Sequence, residues 1–277
     1  MADAGERHSL SFSAYGAEIR VEADRREFVE GVRTRLDALL PEGVNPLVER
    51  ADSHLFTVLL APDGTVALSL DGAPIGQHAS APIALDYLAA RIKLAVGEFA
   101  TSHVFVHAGV VGIGGGGAVV VPASSCQGKT TLVRELVLRG AVYYSDDFAL
   151  VDAAGRVSPF AKALSVRPDR GDLRQVEQAV ESLGGVAGEV PLSVDAVLFT
   201  HYDPGAQWQP RRIGQSAALL RLLPHTLPIR TAPELSLAAL GRMVAGASLW
   251  ESPRGEVGEV ADWIVASLLQ DRSGPRP

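Results

Sequence analysis

The stretch Val119-Val120-Val121-Pro122-Ala123-Ser124-Ser125-Cys126-Gln127-Gly128-Lys129-Thr130-Thr131, followed by Leu132, Val133, Leu136 and Val137, leaves this chain few folds. The β-branched run reads as a buried strand, and the apolar residues after the loop recur at helical spacing. A loop closing on Gly-Lys-Thr between strand and helix suits phosphate, because amide N–H groups at a helix start converge on its oxygens and the helix dipole favours its charge. The pattern G-x-x-x-x-G-K-[ST] is met at every fixed position except the first, where Ala123 replaces glycine. Ala123, Ser124, Ser125, Cys126, Gln127, Gly128, Lys129, Thr130 and Thr131 are therefore the expected cofactor-binding segment, with ATP and Mg²⁺ as cofactors. Lys129 would reach the β/γ-phosphates and the Thr130 hydroxyl would ligate Mg²⁺. The alternative is an ordinary helix start with a surface lysine.

The helix Thr130 to Arg139 should stop at Gly140, and Ala141 to Tyr144 then reads as a buried strand. Ser145-Asp146-Asp147 is expected at its end, where acids beside a phosphate loop serve as metal ligand and general base. Asp146 is assigned to the metal with Thr130, and Asp147 to the proton of an acceptor hydroxyl; the two roles could be exchanged. The competing reading is a polar turn before Phe148 to Val151, as is expected of Asp152-Ala153-Ala154-Gly155. Upstream, Val104 to Val111 and Ala118 to Val121 read as strands, and Gly112 to Gly117 as a hairpin tip that takes no ligand.

The first part of the chain carries no such constellation. Leu10, Phe12, Ala14, Ile19 and Val21 alternate as in a half-buried strand or hairpin, and Asp24 stands where it could cap a helix carrying Phe28, Val29, Val32, Leu36, Leu39 and Leu40. Pro41 and Gly43 end that run. Leu55 to Leu60 and Val66 to Leu70 form a hairpin around Pro62-Asp63-Gly64, and Ile83 to Phe99 reads as a helix. The expected organisation is a small α+β domain over residues 1–100, selecting substrate or packing, an α/β domain over 101–270, and a polar tail over 271–277.

A net charge of −7, without runs of Lys or Arg, argues against nucleic acid as the ligand. The charged start and the lack of an apolar stretch of about 20 residues point away from a signal peptide or a membrane span. A single cysteine, Cys126, allows no intramolecular disulfide, which suits a cytoplasmic enzyme.

His107-Ala108-Gly109-Val110, the loop Ala123 to Thr131, and Tyr144-Ser145-Asp146-Asp147 occur in the order and spacing of HPr-kinase-related proteins, which the chain resembles from about Val104 to Leu269. The resemblance implies a mixed-sheet P-loop kinase domain like that of phosphoenolpyruvate carboxykinase, moving the γ-phosphoryl of ATP to a hydroxyl of a peptide or protein serine or of a small alcohol. It matches Lys129 and Thr130 to the phosphate and Mg²⁺ residues, Asp146 and Asp147 to the acidic pair, and His107 to a histidine near the transferred phosphate. The catalytic set it implies is Asp147, Asp146, Lys129 and His107. Ala123 and Cys126 stand where glycine is usual, and Thr131 replaces the glutamate of the bifunctional kinase/phosphorylases. With the HPr-docking motif absent too, HPr is not the expected substrate and phosphorolysis is not expected. The alternative is a catalytically weak nucleotide-binding regulatory module. Carboxykinase chemistry lacks its clustered His and Lys ligands.

Among the remaining candidates, His107 in an apolar strand also fits a core histidine, and Lys162 and Arg167 fit either the phosphates or the solvated surface. His201 and Tyr202 before Asp203-Pro204-Gly205 read as a solvated turn, with an adenine or substrate contact as the less favoured reading. Arg211 and Arg212 with an exposed Trp208 would make a small basic patch. A homo-oligomer is compatible with the sequence.

The loop assignment makes Cys126 a reporter, since helix-start amides and Lys129 favour its thiolate. Mg²⁺-ATP is expected to slow iodoacetamide labelling over its binding range, read as a single adduct by intact-mass spectrometry. Fast labelling indifferent to saturating nucleotide would remove Cys126 from an occupied phosphate site.

Overall fold

The structure is a computed structural model describing residues 7–47, 53–114, 116–124, 128–166 and 176–270. The chain divides into two compact units, Met1–Ser102 and His103–Pro277. No helix among the described residues is long and apolar enough to cross a membrane.

In the first unit the elements run β1 (His8–Ala14), β2 (Ala17–Ala23), α1 (Arg26–Leu39), β3 (Asn45–Pro46), β4 (His54–Leu60), β5 (Val66–Leu70), β6 (Ala73–His78) and α2 (Ala81–Phe99). They form a six-stranded sheet in the order β3-β1-β2-β4-β5-β6, parallel only where α1 carries the chain from β2 to β4. The alternating residues Phe12, Ile19 and Val21 are buried with Phe28, Val32 and Leu36 of α1 and Leu88 and Ile92 of α2. The turn between β1 and β2 is Tyr15-Gly16, and both residues have positive φ. That geometry matches the right-handed twist of the flanking strands. Asp71-Gly72 repeats it between β5 and β6, which adds a strand that the sequence reading passed over.

Asp24 does not cap α1. Its carboxylate accepts the Leu60 amide at 3.0 Å, tying β2 to the end of β4, and the N-cap position falls to Arg25 without a side-chain cap.

The second unit begins with β7 (Val104–Gly112), β8 (Ala118–Pro122), α3 (Lys129–Leu138), β9 (Val142–Ser145), β10 (Phe148–Val151), β11 (Val157–Ser158), β12 (Leu164–Val166) and β13 (Val176–Gln178). It continues through β14 (Val194–Phe199), β15 (Arg211–Arg212), α4 (Gln215–Leu222), two 3₁₀ turns (Leu223–His225 and Leu227–Ile229), α5 (Pro233–Ala245), β16 (Ser248–Glu251) and α6 (Val257–Gln270). The main sheet runs β11-β10-β7-β8-β14-β16-β15, with β9 also on β7 and β8, β14 and β16 mutually parallel. β12 and β13 form a separate ribbon.

Both faces of this sheet are covered. Ala118 and Val120 share a core cluster with Ala218 and Leu222 of α4 and Ala239 and Leu240 of α5. Val119 and Val121 join Leu132, Val133 and Leu136 of α3 and Val260 and Ile264 of α6. Burial on both faces explains why these strands read as unbroken apolar runs instead of alternating ones.

The acidic pair follows the end of β9 at Ser145, as expected, but it is not a turn that reverses the chain. Ser145 is opposite Val110 and Phe148 is opposite His107, so Asp146 and Asp147 continue the pairing along β7, and the Ala108 amide donates to the Asp147 carbonyl at 3.1 Å. β9 and β10 are two halves of one path beside β7, interrupted at the acids.

Helix α3 approaches β7 at Gly109, where an added Cβ would lie 2.6 Å from Val133 Cγ2. Gly109→Ala is expected to destabilise the protein by about 1–3 kcal/mol through overpacking. Urea unfolding followed by circular dichroism measures this, and an unchanged midpoint would show that the contact yields freely.

Candidate active site

The parallel strands β8, β14 and β16 end at one edge of the sheet; the loop leaving β8 lies there beside His107 of β7 and the acids between β9 and β10. Crevices at such carboxyl edges are where open α/β sheets bind ligands. The chain leaves β8 through Ala123 and Ser124 and enters α3 through Gly128, which has φ 82°. Ser125, Cys126 and Gln127 lie outside the described residues, as do Arg167 and the tail. Ala123 is buried, and its amide donates to the His107 carbonyl at 3.3 Å. Ser124 and Thr131 are exposed.

Lys129 opens α3 and is buried. Its Nζ donates to the carbonyls of Ala123 at 2.7 Å and Ser124 at 3.0 Å, and lies 3.3 Å from His107 Nε2. An ammonium only donates, so in this contact His107 presents the bare lone pair of Nε2. The same nitrogen is 3.7 Å from Asp147 Oδ1, beyond hydrogen-bond length. His107 is thus a partner of the lysine lying beside the acidic pair and not a core histidine; its ring also packs 5.6 Å from that of Phe148.

Asp146 is 4% exposed and accepts donors on both oxygens. Thr130 Oγ1 donates to Oδ2 at 3.0 Å and the Ser165 amide at 3.2 Å. Oδ1 takes the Tyr143 hydroxyl at 3.1 Å and Lys162 Nζ at 3.4 Å. Burial first, and the Asp146 charge second, push the Tyr143 phenol well above its usual range, so it is a donor at any working pH. Asp147 is more open, with its side chain 18% exposed and Oδ2 4.0 Å from Lys162 Nζ. The Ser145 hydroxyl shapes this stretch by accepting the amides of Asp147 and Phe148, each at 3.0 Å.

These positions bear on whether Mg²⁺-ATP fits. By donating its proton to Asp146, Thr130 Oγ1 keeps lone pairs for a cation, and Lys129 stands at the helix start where phosphate oxygens would meet it. Among the described residues no three His, Cys, Asp or Glu side chains cluster as a metal site would need. A cation here would be met by the Thr130 hydroxyl, with its bound phosphates and water supplying the other ligands, as is common for Mg²⁺.

Two groups at this edge escaped the sequence reading. Arg254, 3% exposed, follows β16, and its Nη2 donates to the Gly128 carbonyl at 2.9 Å. A Cβ on Gly128 would meet that nitrogen at 2.2 Å, so a side chain there would push the guanidinium off its carbonyl, and the positive φ itself favours glycine. Burial lowers the Arg254 pKa, opposed by Glu256 and Tyr202, and its guanidinium lies 5.7 Å from the Tyr202 ring. The Tyr202 backbone bridges to Arg254 beyond the strand ends, so Tyr202 supports this corner instead of lying in a merely solvated turn. Pro253-Arg254-Gly255 carried no signal beyond a turn.

His225 is the second. Thr226 bridges to Val106 of β7 beyond the point where β8 ends, which carries His225 toward Lys129. Burial, and then the Lys129 charge, hold its imidazole below the ordinary value of 6.5.

Trp208 is not exposed. It packs edge-on to Trp263 at 5.5 Å, and Trp263 meets Trp250 at 5.2 Å. Arg211 pairs with Glu251 at 2.7 Å and Arg212 lies over Trp250 at 4.6 Å, so the expected basic patch is largely spent on its own neighbours.

No family model matches this chain, and no curated protein matches it. Among solved structures, the HPr(Ser) kinase/phosphatase from Coxiella burnetii aligns with 61% of this chain and 99% of its own length, at 12% identity and a TM-score of 0.34. At that identity and score the alignment assigns no activity.

The depressed His225 pKa has a signed consequence. Below 6.5 the unfolded chain takes up a proton that folded His225 resists, so stability falls as pH drops through that value and the effect vanishes above it. Between about pH 7 and about pH 5 the wild-type urea midpoint is expected to fall more than that of His225→Gln. Equal slopes would remove His225 from the electrostatics of this site.

Proposed function

We propose that the protein is an ATP-dependent phosphotransferase acting on a hydroxyl of a peptide, a protein or a small molecule. One observation carries this reading: a buried lysine at a helix start stands one hydrogen bond from an imidazole that approaches a semi-exposed carboxylate, with a threonine hydroxyl aimed at a second acid alongside. Cation, metal-competent hydroxyl and acid converge where the parallel strands of a mixed sheet end, and phosphoryl transfer asks little beyond such positioning and charge stabilisation.

In this reading Lys129 leaves the loop carbonyls for the β/γ-phosphates, and Thr130 offers its lone pairs to Mg²⁺ while Asp146 holds the hydroxyl proton and fixes its direction. Mg²⁺-ATP supplies the phosphoryl group and neutralises charge on it. Asp147, the more accessible acid, would take the acceptor hydroxyl's proton as the acceptor oxygen bonds to the γ-phosphorus and the bond from that phosphorus to the ADP oxygen breaks, ADP leaving with its charge met by Lys129, while His107 holds Lys129 beside the acids. Arg254 holds Gly128, and with it the first turn of α3, in place.

Lys129→Ala is expected to abolish ATP turnover. Asp147→Asn should keep nucleotide affinity within a few-fold and slow transfer by about 10²- to 10⁴-fold, the usual span for a general base. ADP release with candidate acceptors and equilibrium nucleotide binding measure the two. Near-normal turnover by Lys129→Ala would sink the reading. Wild-type binding of ATP without ADP formation would instead leave a nucleotide-binding regulatory module.

A further inference from the structure

Lys162 lies at the centre of a charge arrangement that neither the loop nor the acidic pair explains by itself. Its side chain is 7% exposed, so its charge is almost wholly withdrawn from water. Nζ lies 3.4 Å from Asp146 Oδ1 and 4.0 Å from Asp147 Oδ2, and is completed by Ser165 Oγ at 3.1 Å and the Ala163 carbonyl at 3.3 Å. Two adjacent carboxylates in such surroundings would repel each other, and either a proton or a cation would have to relieve them. The ammonium stands where that cation would stand.

Asp146 has no acceptor capacity left over. A carboxylate offers about two lone-pair positions per oxygen. Oδ1 is met by Tyr143 and Lys162, and Oδ2 by Thr130 and the Ser165 amide. A metal ion bonded directly to Asp146 must expel one of these four donors. The amide belongs to β12 and cannot turn away, and displacing Lys162 would strand a buried ammonium.

We propose that Lys162 is a positioning residue that serves as the internal cation of the acidic pair: it holds Asp146 beside Thr130, keeps Asp146 out of direct metal coordination, and prevents the two aspartates from binding a divalent ion before nucleotide arrives. The proposal rests on the phosphotransfer reading only for what the metal later does. Its test needs no nucleotide, so the two can fail separately.

The probe is Mn²⁺ alone, added to wild type, Lys162→Met and Lys162→Arg. Methionine keeps most of the side-chain length without the charge. Wild type is expected to bind no Mn²⁺ tightly and to show an unchanged Tm. Lys162→Met should lose Tm, bind about one equivalent of Mn²⁺ by electron paramagnetic resonance, and recover most of the lost Tm on binding it, because the ion takes the vacated place between two carboxylates. Lys162→Arg should behave as wild type, and adding Asp146→Asn to Lys162→Met should abolish the gained site. If Lys162→Met does not fold without metal, the return of its far-ultraviolet circular dichroism on adding Mn²⁺ is the same readout. The proposal is overturned if Mn²⁺ stabilises Lys162→Met no more than wild type, if wild type already binds Mn²⁺ at the pair, or if Lys162→Met fails to fold at any Mn²⁺ concentration.

Discussion

The carboxylate of Asp146 is the interaction on which the rest of this site depends. It receives a hydroxyl from the first turn of α3, a phenol from β9, an amide from β12 and the ammonium of Lys162. Such charge-assisted bonds in a low-dielectric surround are stronger than neutral ones, and the loss of any partner leaves a buried charge uncompensated. Helix, strand and ribbon are thereby pinned to one point, and the distance between Lys129 and the acids is set by this node as much as by the loop.

The sheet explains why the node lies where it does. β7 runs antiparallel to β8, so His107 lies beside the exit of β8. β9 and β10 follow β7 on its other side and carry the acids past the same place. Gly109 lets α3 lie close enough for its first turn to reach Asp146, and Arg254, delivered by β16, ties that turn down at Gly128. Each contribution is unremarkable by itself; their meeting follows from strand order.

Much of this was legible where the signal is local. The hairpin at Pro62-Asp63-Gly64, the glycine-rich tip after β7 and the boundaries of α1, α2 and α3 all follow from turn chemistry and spacing within a few residues. The strand β6 was missed although Asp71-Gly72 announces a tight turn, because Ala73 to His78 lacks the apolar alternation that marks a half-buried strand. Asp24 and Trp208 were misjudged for one shared reason. A carboxylate before a helix looks like a cap, and a tryptophan among polar residues looks exposed, until the strand or helix that packs against each is known.

The sequence by itself determined the local grammar of the protein: a strand, a Gly-Lys-Thr loop and a helix, with a pair of acids following, each written in a contiguous stretch whose backbone preferences need no distant partner. Only the tertiary structure decided which charges meet. Lys162 looked as fit for solvent as for the site, and Arg254 and His225 gave no sign of their places, because the energy of a buried charge depends on neighbours far along the chain. Arg254 touches Gly128 across 126 positions, and no spacing rule spans such a separation. Strand pairing and helix packing bring those groups together, and the need to compensate each charge withdrawn from water holds them there.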